Sequence, residues 1–156
     1  MGASDLRLLA VDPGRTTGVA GGVVRLRSDS LARDVLVAAQ EEGRLWTDEI
    51  SGTATEQAAE IVALVARSRS TLLVIEDFAL RSRNADLAPV EILSALDALR
   101  ARDGLPAAER QMPSAAKSYL TNERMRDWGL WVVGSPHERD ALRHLALAVS
   151  RKISQL

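Results

Sequence analysis

The sequence predicts an α/β fold whose sheet is largely parallel. Apolar stretches of strand length alternate with amphipathic stretches of helix length, and two of the strand-like stretches are apolar on both faces. The chain has 156 residues, close to the ~150 residues used as a prior for one domain, so we predict a single domain over residues 1–156. Apolar residues make up 46% of the chain and charged residues 26%, which is ordinary for a globular protein.

The first part of the chain is predicted to be mostly extended. A buried strand covers roughly 6–12, and Asp12-Pro13-Gly14 ends it because proline and glycine favour a turn. A second strand, about 18–26, follows at once and is predicted to pair with the first in a hairpin. Further extended chain is predicted near 35–39 and 45–50.

The rest of the chain is predicted to alternate between helices and strands. Thr53 and Glu56 have the spacing of a capping box at the start of a helix over about 54–66. The later predicted elements are, in order, a strand at 71–78, a helix from 89 to about 104, a helix at 115–127, a strand at 130–133 and a helix from about 137 to 153.

Composition excludes several classes of protein. The chain has no cysteine, which excludes a disulfide scaffold, a thiolate zinc site and a cysteine nucleophile. No apolar run approaches the ~18 residues of a membrane helix and no signal peptide is evident, so we expect a cytoplasmic protein that does not contact a membrane. The net charge of −1 predicts no general affinity for nucleic acid, so DNA binding would require clustered basic residues.

Three acidic residues stand at the ends of predicted elements. Asp12 ends the first strand, Glu76 lies near the end of the fourth, and Asp140 lies in the first turn of the last helix. Sites in parallel sheets form at the carboxyl ends of the strands, and two carboxylates on neighbouring strands repel each other unless a cation lies between them. Oxygen ligands favour Mg²⁺ or Mn²⁺, so a divalent metal site is predicted, against the alternatives of a plain turn at Asp12 and a buried salt bridge at Glu76.

Two choices stay open at this point. Side chains alternate along a strand, so only one of Glu76 and Asp77 can face the site, and the sequence does not choose between them. His137 and His144 both border the apolar face of the last helix together with Asp140, and either can line the site.

With these residues identified, the chain resembles the RuvC-type Holliday junction resolvases of the ribonuclease H-like superfamily over nearly its whole length. Asp12-Pro-Gly-Arg-Thr-Thr-Gly18 is similar to the opening element of that family, and Ile75-Glu76 to its Ile-Glu at the end of the fourth strand. Asn84-Ala85-Asp86, Pro113 to Lys117 and Pro136 to Leu142 resemble later family segments. The resemblance implies an α/β ribonuclease H-like fold: a mixed five-stranded sheet with an initial antiparallel hairpin and helices on both faces.

The resemblance also implies a role for each site residue. Asp12 would bridge two metal ions, Glu76 would bind one, and Asp140 would bind the other. His137 would be a further ligand or would orient the attacking water. The ions would be Mg²⁺, with Mn²⁺ as a substitute, and the chemistry would be phosphodiester hydrolysis that leaves a 5′-phosphate and a 3′-hydroxyl.

The implied substrate is branched DNA, the four-way junction, and the implied assembly is a homodimer that matches the symmetry of the junction. Phosphate contacts are expected from basic residues around the site. The candidates for DNA contact are Phe78, Arg81, Arg83, Lys117, Arg139 and Arg143. Phe78 is either an aromatic that inserts at the junction centre or a core residue. The arginine-rich composition is typical of GC-rich genomes, so the expected host is a bacterium or a phage-infected bacterium.

Three other functions remain open. One is a small nucleotide-binding domain of the actin-like ATPase type, which shares the Asp-Gly hairpin opening but whose usual two-domain architecture needs a much longer chain. The YqgF-type nucleases share this fold and a similar opening, but the Ile75-Glu76 ending of the fourth strand differs from the glycine-rich segment expected there. A non-catalytic nucleic-acid-binding module would also keep the fold, although three retained acidic residues at element ends argue against that reading.

Overall fold

The computed structural model describes residues 4–77 and 86–156, which form a five-stranded mixed sheet in the order β3-β2-β1-β4-β5. The strands are β1 (Ser4–Asp12), β2 (Thr17–Leu26), β3 (Leu45–Ile50), β4 (Leu72–Glu76) and β5 (Ala108–Gln111). β1 and β2 form an antiparallel hairpin to which β3 adds antiparallel, whereas β4 lies parallel to β1 and β5 parallel to β4. The predicted mixed sheet with an initial hairpin is therefore confirmed.

Helices cover both faces of this sheet, as predicted. They are α1 (Ala32–Glu41), α2 (Ala54–Ser68), α3 (Ala88–Asp103), α4 (Pro113–Tyr119), α5 (Asn122–Asp127) and α6 (Pro136–Ile153). Alternation along β1 divides the core in two: Leu8 and Ala10 pack with α1, α5 and α6, while Leu9 and Val11 pack with α2 and α3. None of the described helices is long and apolar enough to cross a membrane.

The extended chain predicted at 35–39 is wrong, because this segment is part of α1. Ala32, Val35, Leu36 and Ala39 are buried on one side of the helix, at the spacing of an amphipathic helix. Val35 and Val37 are two residues apart, which is the spacing of one face of a strand. The buried residues over the whole segment follow the helical period of 3.6 instead, and the segment forms a helix. Of the two extended stretches predicted there, only the second, near 45–50, is a strand, and it forms β3.

The fifth strand lies elsewhere than predicted. Residues 130–133 form irregular chain, and Val133 is 97% exposed. The strand that pairs with β4 is β5, a short edge strand with the sequence Ala-Glu-Arg-Gln, whose polar composition gives no apolar signal. The predicted helix at 115–127 is divided into α4 and α5, because the Thr121 side chain caps a new helix by accepting from the Arg124 backbone N–H.

Candidate active site

Asp12 and Glu76 lie side by side at the carboxyl edge of two neighbouring parallel strands. Val11 of β1 is in register with Ile75 of β4, and both acidic residues follow directly. Asp12 lies on the same face as Ala10, and Glu76 on the same face as Val74, which is the face that α6 covers. Asp77 is exposed and its backbone N–H donates to the Gln111 carbonyl at 2.7 Å. Of the two candidates that the sequence left open, Glu76 is the one that faces α6.

The N-terminus of α6 is held against this edge by its own capping residues. Ser135 and Glu138 form a capping box, and the Glu138 carboxylate also accepts from the Thr47 hydroxyl of β3 at 3.0 Å. The backbone of α6 passes so close to β2 that a Cβ on Gly18 would lie 2.0 Å from the His137 carbonyl oxygen. Glycine at position 18 therefore sets how closely His137 approaches Asp12.

Two histidines of α6 contact the two strand carboxylates, one each. His137 Nδ1 lies 3.2 Å from Asp12 Oδ2, and the His137 side chain is 46% exposed. His144 Nε2 lies 2.8 Å from Glu76 Oε2, and His144 is 1% exposed. The two positions are about two helical turns apart, so both face the sheet. Both histidines that the sequence offered therefore lie at the carboxylates.

Asp140 lies between the two histidines along α6 and faces a basic group of side chains. Lys117 Nζ of α4 lies 3.5 Å from Asp140 Oδ2, and the Arg143 guanidinium donates to Asp140 Oδ1. Arg143 is buried and also donates to the Asn122 side-chain oxygen and, at 2.9 Å, to the Leu120 carbonyl. Because Arg143 has these three partners within the chain, it orients Asp140 rather than pointing to solvent.

A cleft of about 600 Å³ opens beside Asp140. Its lining comes from α4, α5 and the first turns of α6: Lys117, Thr121, Asn122, Glu123, Pro136, Arg139, Asp140 and Arg143. Lys117 is 57% exposed there and gives the cleft a solvent-accessible positive charge.

The electrostatics of the site centre on Asp12. Burial raises the pKa of Asp12 from 3.8 to about 7, and the nearby charges of Glu76 and Asp140 add to the rise. The hydrogen bond from His137 acts in the opposite direction. A carboxylate with this environment is stabilised by any cation that comes to lie between it and its acidic neighbours.

The donor set fits divalent metal ions of the Mg²⁺ type. Among residues 4–77 and 86–156, no three histidine, aspartate or glutamate side chains converge closely enough to enclose one ion. Mg²⁺ does not require such a cage, since it is commonly held by one or two carboxylates while water and phosphate oxygens complete its shell. Asp12 and Glu76, which lie at the ends of neighbouring strands, provide such a pair, and the negative charge of Asp140 also acts on the buried Asp12 carboxyl.

The structure describes only some of the residues that were predicted to contact DNA. Phe78, Arg81 and Arg83 lie outside the described residues, as do Asn84 and Ala85. Arg139 lines the cleft, but its guanidinium also donates to the Gly134 carbonyl at 2.7 Å and lies 4.8 Å from the centre of the Trp131 ring.

Sequence reasoning did not identify two partners of the site. Gln111 contacts His144, and Asn122 contacts Arg143. Gln111 and Asn122 lie in the segment where the predicted elements were wrong, so no pattern pointed to them. The burial of Gln111 at the end of β5 could have indicated a role in the site, but that burial can be inferred only once the strand is known.

Two solved structures share this fold over nearly the whole chain. Thermus thermophilus RuvC gives a TM-score of 0.64 at 18% identity, covering 96% of this chain and 97% of that one. T. thermophilus RuvC in complex with a Holliday junction substrate gives a TM-score of 0.62 at 18% identity, covering 95% and 96%. These likenesses confirm the predicted ribonuclease H-like fold. Neither a protein-family model nor a curated protein matches the sequence.

Proposed function

We propose that this chain is a metal-dependent, structure-selective DNA endonuclease that resolves four-way (Holliday) junctions by phosphodiester hydrolysis. The observation that carries the proposal is the placement of Asp12 and Glu76 side by side at the ends of neighbouring parallel strands, with Asp12 buried and its pKa raised to about 7 by that burial and by the charges of Glu76 and Asp140. The likeness in fold to RuvC, which has been solved with a Holliday junction substrate, supports the choice of branched DNA.

The three carboxylates would hold two Mg²⁺ ions, with Mn²⁺ able to replace them. Asp12 would contribute to both ions, Glu76 to one and Asp140 to the other. When bound, such ions supply an activated water and neutralise charge on the phosphate and on the departing 3′ oxygen. Arg143 keeps the Asp140 carboxylate in place, because its guanidinium is itself fixed by Asn122 and Leu120.

His137 would handle the proton of the attacking water. Its Nδ1 faces Asp12 and holds that carboxylate, so Nε2 is the ring nitrogen available to accept a proton. The side chain is half exposed, which gives it access to water at the substrate side. A neutral imidazole is the form of a histidine that accepts a proton.

Lys117 and Arg139 would contact DNA phosphates at the mouth of the cleft. Such contacts fix the position of the DNA without reading its sequence, so the shape of the junction would provide the selectivity. Phe78, Arg81 and Arg83 stay candidates for contacts near the centre of the junction. A homodimer would place two sites on the two related strands that must be cut. The reaction would take place in the cytoplasm of a bacterial cell or of a phage-infected host.

The test compares cleavage of a labelled synthetic four-way junction with cleavage of a matched linear duplex, in Mg²⁺ and in EDTA. We expect symmetric, Mg²⁺-dependent cuts in the junction only, and none with Asp12→Asn. Asp34→Asn is the matched control, because it removes the same charge from the exposed surface of α1, away from the site.

Other outcomes would overturn the proposal in distinct ways. Cleavage of flaps, single strands or RNA in place of junctions would move the function to another nuclease class, the YqgF-type included. Junction binding without cleavage in either Mg²⁺ or Mn²⁺ would indicate a non-catalytic module.

A further inference from the structure

His144 is a buried polar side chain that the mechanism above does not use. It is 1% exposed and lies on α6 among core residues. A buried imidazole is costly unless its nitrogens are hydrogen-bonded, and both nitrogens of His144 have partners. Nε2 lies 2.8 Å from Glu76 Oε2, and Nδ1 lies 3.0 Å from Gln111 Oε1.

The direction of the bond to Glu76 follows from the chemistry of the groups. An ionised carboxylate only accepts, so His144 Nε2 carries the hydrogen and donates to Glu76. Gln111 is in register with Glu76 on the next strand and is itself buried, so α6, β4 and β5 meet at this imidazole.

The Gln111 side-chain amide has two possible orientations, which exchange the positions of its oxygen and its nitrogen. Among residues 4–77 and 86–156 the buried Gln111 Nε2 has no hydrogen-bond partner in the present orientation, and rotating the amide by half a turn would place that nitrogen against His144 Nδ1. The bond from His144 Nε2 to Glu76 is the same in both arrangements.

We propose that His144 is a positioning residue that fixes the Glu76 carboxylate for metal binding. One carboxylate oxygen, Oε2, contacts His144, so the carboxylate is held in place at the position where Glu76 would help to hold a cation. A hydrogen bond from a fixed partner to a ligand carboxylate lowers the cost of ordering that ligand and sets its orientation. Gln111 extends the support by holding the far side of the imidazole. This inference rests on the metal site of the proposed function and concerns Glu76 alone.

The experiment measures Mn²⁺ binding by titration calorimetry in the absence of DNA, with His144→Leu and His144→Gln. Leucine keeps the apolar volume and removes the donor, and we expect Mn²⁺ to bind about 10- to 100-fold more weakly. Glutamine keeps an N–H near the position of Nε2 and should restore most of the affinity. Val149→Ala, a buried change on the same helix away from the site, is the control for loss of packing: it should lower thermal stability and leave Mn²⁺ binding unchanged.

A second readout separates positioning from a structural role. The Mn²⁺ concentration that gives half-maximal junction cleavage should rise in His144→Leu by the same factor, while the rate at saturating Mn²⁺ returns to the wild-type value. In the Glu76→Gln background, adding His144→Leu should change Mn²⁺ binding no further, because the ligand that His144 supports is already lost.

The outcomes distinguish this proposal from the proposed function. If Glu76→Gln weakens Mn²⁺ binding but folded His144→Leu binds Mn²⁺ like the wild type, His144 has no positioning role and the inference is overturned. If Glu76→Gln also binds Mn²⁺ like the wild type, the metal site of the proposed function is overturned instead. Should His144→Leu not fold, Gln111→Leu removes the support behind the imidazole, and unchanged Mn²⁺ affinity in that variant would equally reject the inference.

Discussion

Two carboxylate–histidine pairs lie along α6, and they differ in their surroundings more than in their chemistry. The outer pair, Asp12 with His137, lies at the first turn of the helix, where the histidine is half exposed. The inner pair, Glu76 with His144, lies two turns further along, where the histidine is buried and held from behind by Gln111. The outer histidine is accessible to solvent, whereas the inner one is buried with a partner on each ring nitrogen. The two pairs therefore suit the two roles proposed for them, proton transfer at His137 and support of a carboxylate at His144.

Removing the charge of Asp12 in the outer pair should have the largest effect on stability, and the size of that effect depends on pH. The pKa of Asp12 is raised to about 7 in the native protein, so between pH 4 and 7 the unfolded chain ionises while the native one resists, and metal-free stability falls. Asp12→Asn should therefore stabilise the metal-free protein by about 3–4 kcal/mol at pH 8. The same change should have no effect at pH 3, where both states of the wild type are protonated.

Urea unfolding in EDTA at the two pH values measures this effect. Mn²⁺ at ten times its dissociation constant should then stabilise the wild type by about 1.4 kcal/mol and leave Asp12→Asn unchanged. A stability difference between the two proteins that does not vary with pH would mean that Asp12 ionises normally.

Truncating the two histidines to alanine should lower the free energy of unfolding by different amounts. His144→Ala leaves a cavity and deprives Glu76 of its donor, which should cost about 2–3 kcal/mol. His137→Ala removes a half-exposed partner and should cost less than about 1 kcal/mol. Denaturant unfolding of both variants at pH 7 gives the comparison. Equal losses would show that burial does not separate the pairs.

Moving the helix should disturb the outer pair alone. Gly18→Ala places a Cβ against the backbone at His137 and forces the start of α6 away from β2, at a cost of about 2 kcal/mol. We expect slower junction cleavage, because His137 is drawn away from Asp12, with little change at His144. NMR of the two imidazoles reports each pair separately. A shift at His144 as large as that at His137 would show that α6 moves as a rigid unit.

Lys117→Met should have the smallest effect on stability, less than about 0.5 kcal/mol, because the amine is largely exposed and its ion pair with Asp140 is screened by solvent. Its effect on DNA should be distinct: junction binding should weaken and depend less steeply on salt concentration. Filter binding over a range of salt concentrations tests this. An unchanged salt dependence would remove Lys117 from the DNA contacts.

The sequence allowed the sheet edge to be predicted where apolar patterns are strong. β1, β4 and α6 are buried elements with clear periods, so the positions of Asp12, Glu76 and Asp140 at their ends followed from local pattern. The choice between Glu76 and Asp77 required the register of β4 against β1 and the side of the sheet that α6 covers. Both depend on the tertiary structure, which the local spacing of apolar residues does not determine.

The segment between α3 and α6 was much less predictable. β5 is polar because it is an edge strand, and the break between α4 and α5 depends on one capping threonine. Arg143, a predicted DNA contact, lines the cleft and is buried against Asp140 and Asn122, a placement that the sequence did not indicate. An arginine in a helix has the same sequence signal in both roles, and only the packing of α4 and α5 against α6 distinguishes them.

The placement of His137, Asp140 and His144 on one continuous helix limits how this protein can vary in evolution or by design. Inserting a single residue between positions 137 and 144 would turn one histidine about 100° around the helix axis relative to the other, so the two could no longer face the same sheet edge. The irregular chain just before the helix, around the exposed Val133, carries no such constraint. Length changes are therefore more compatible with the chain around Val133 than with the first half of α6.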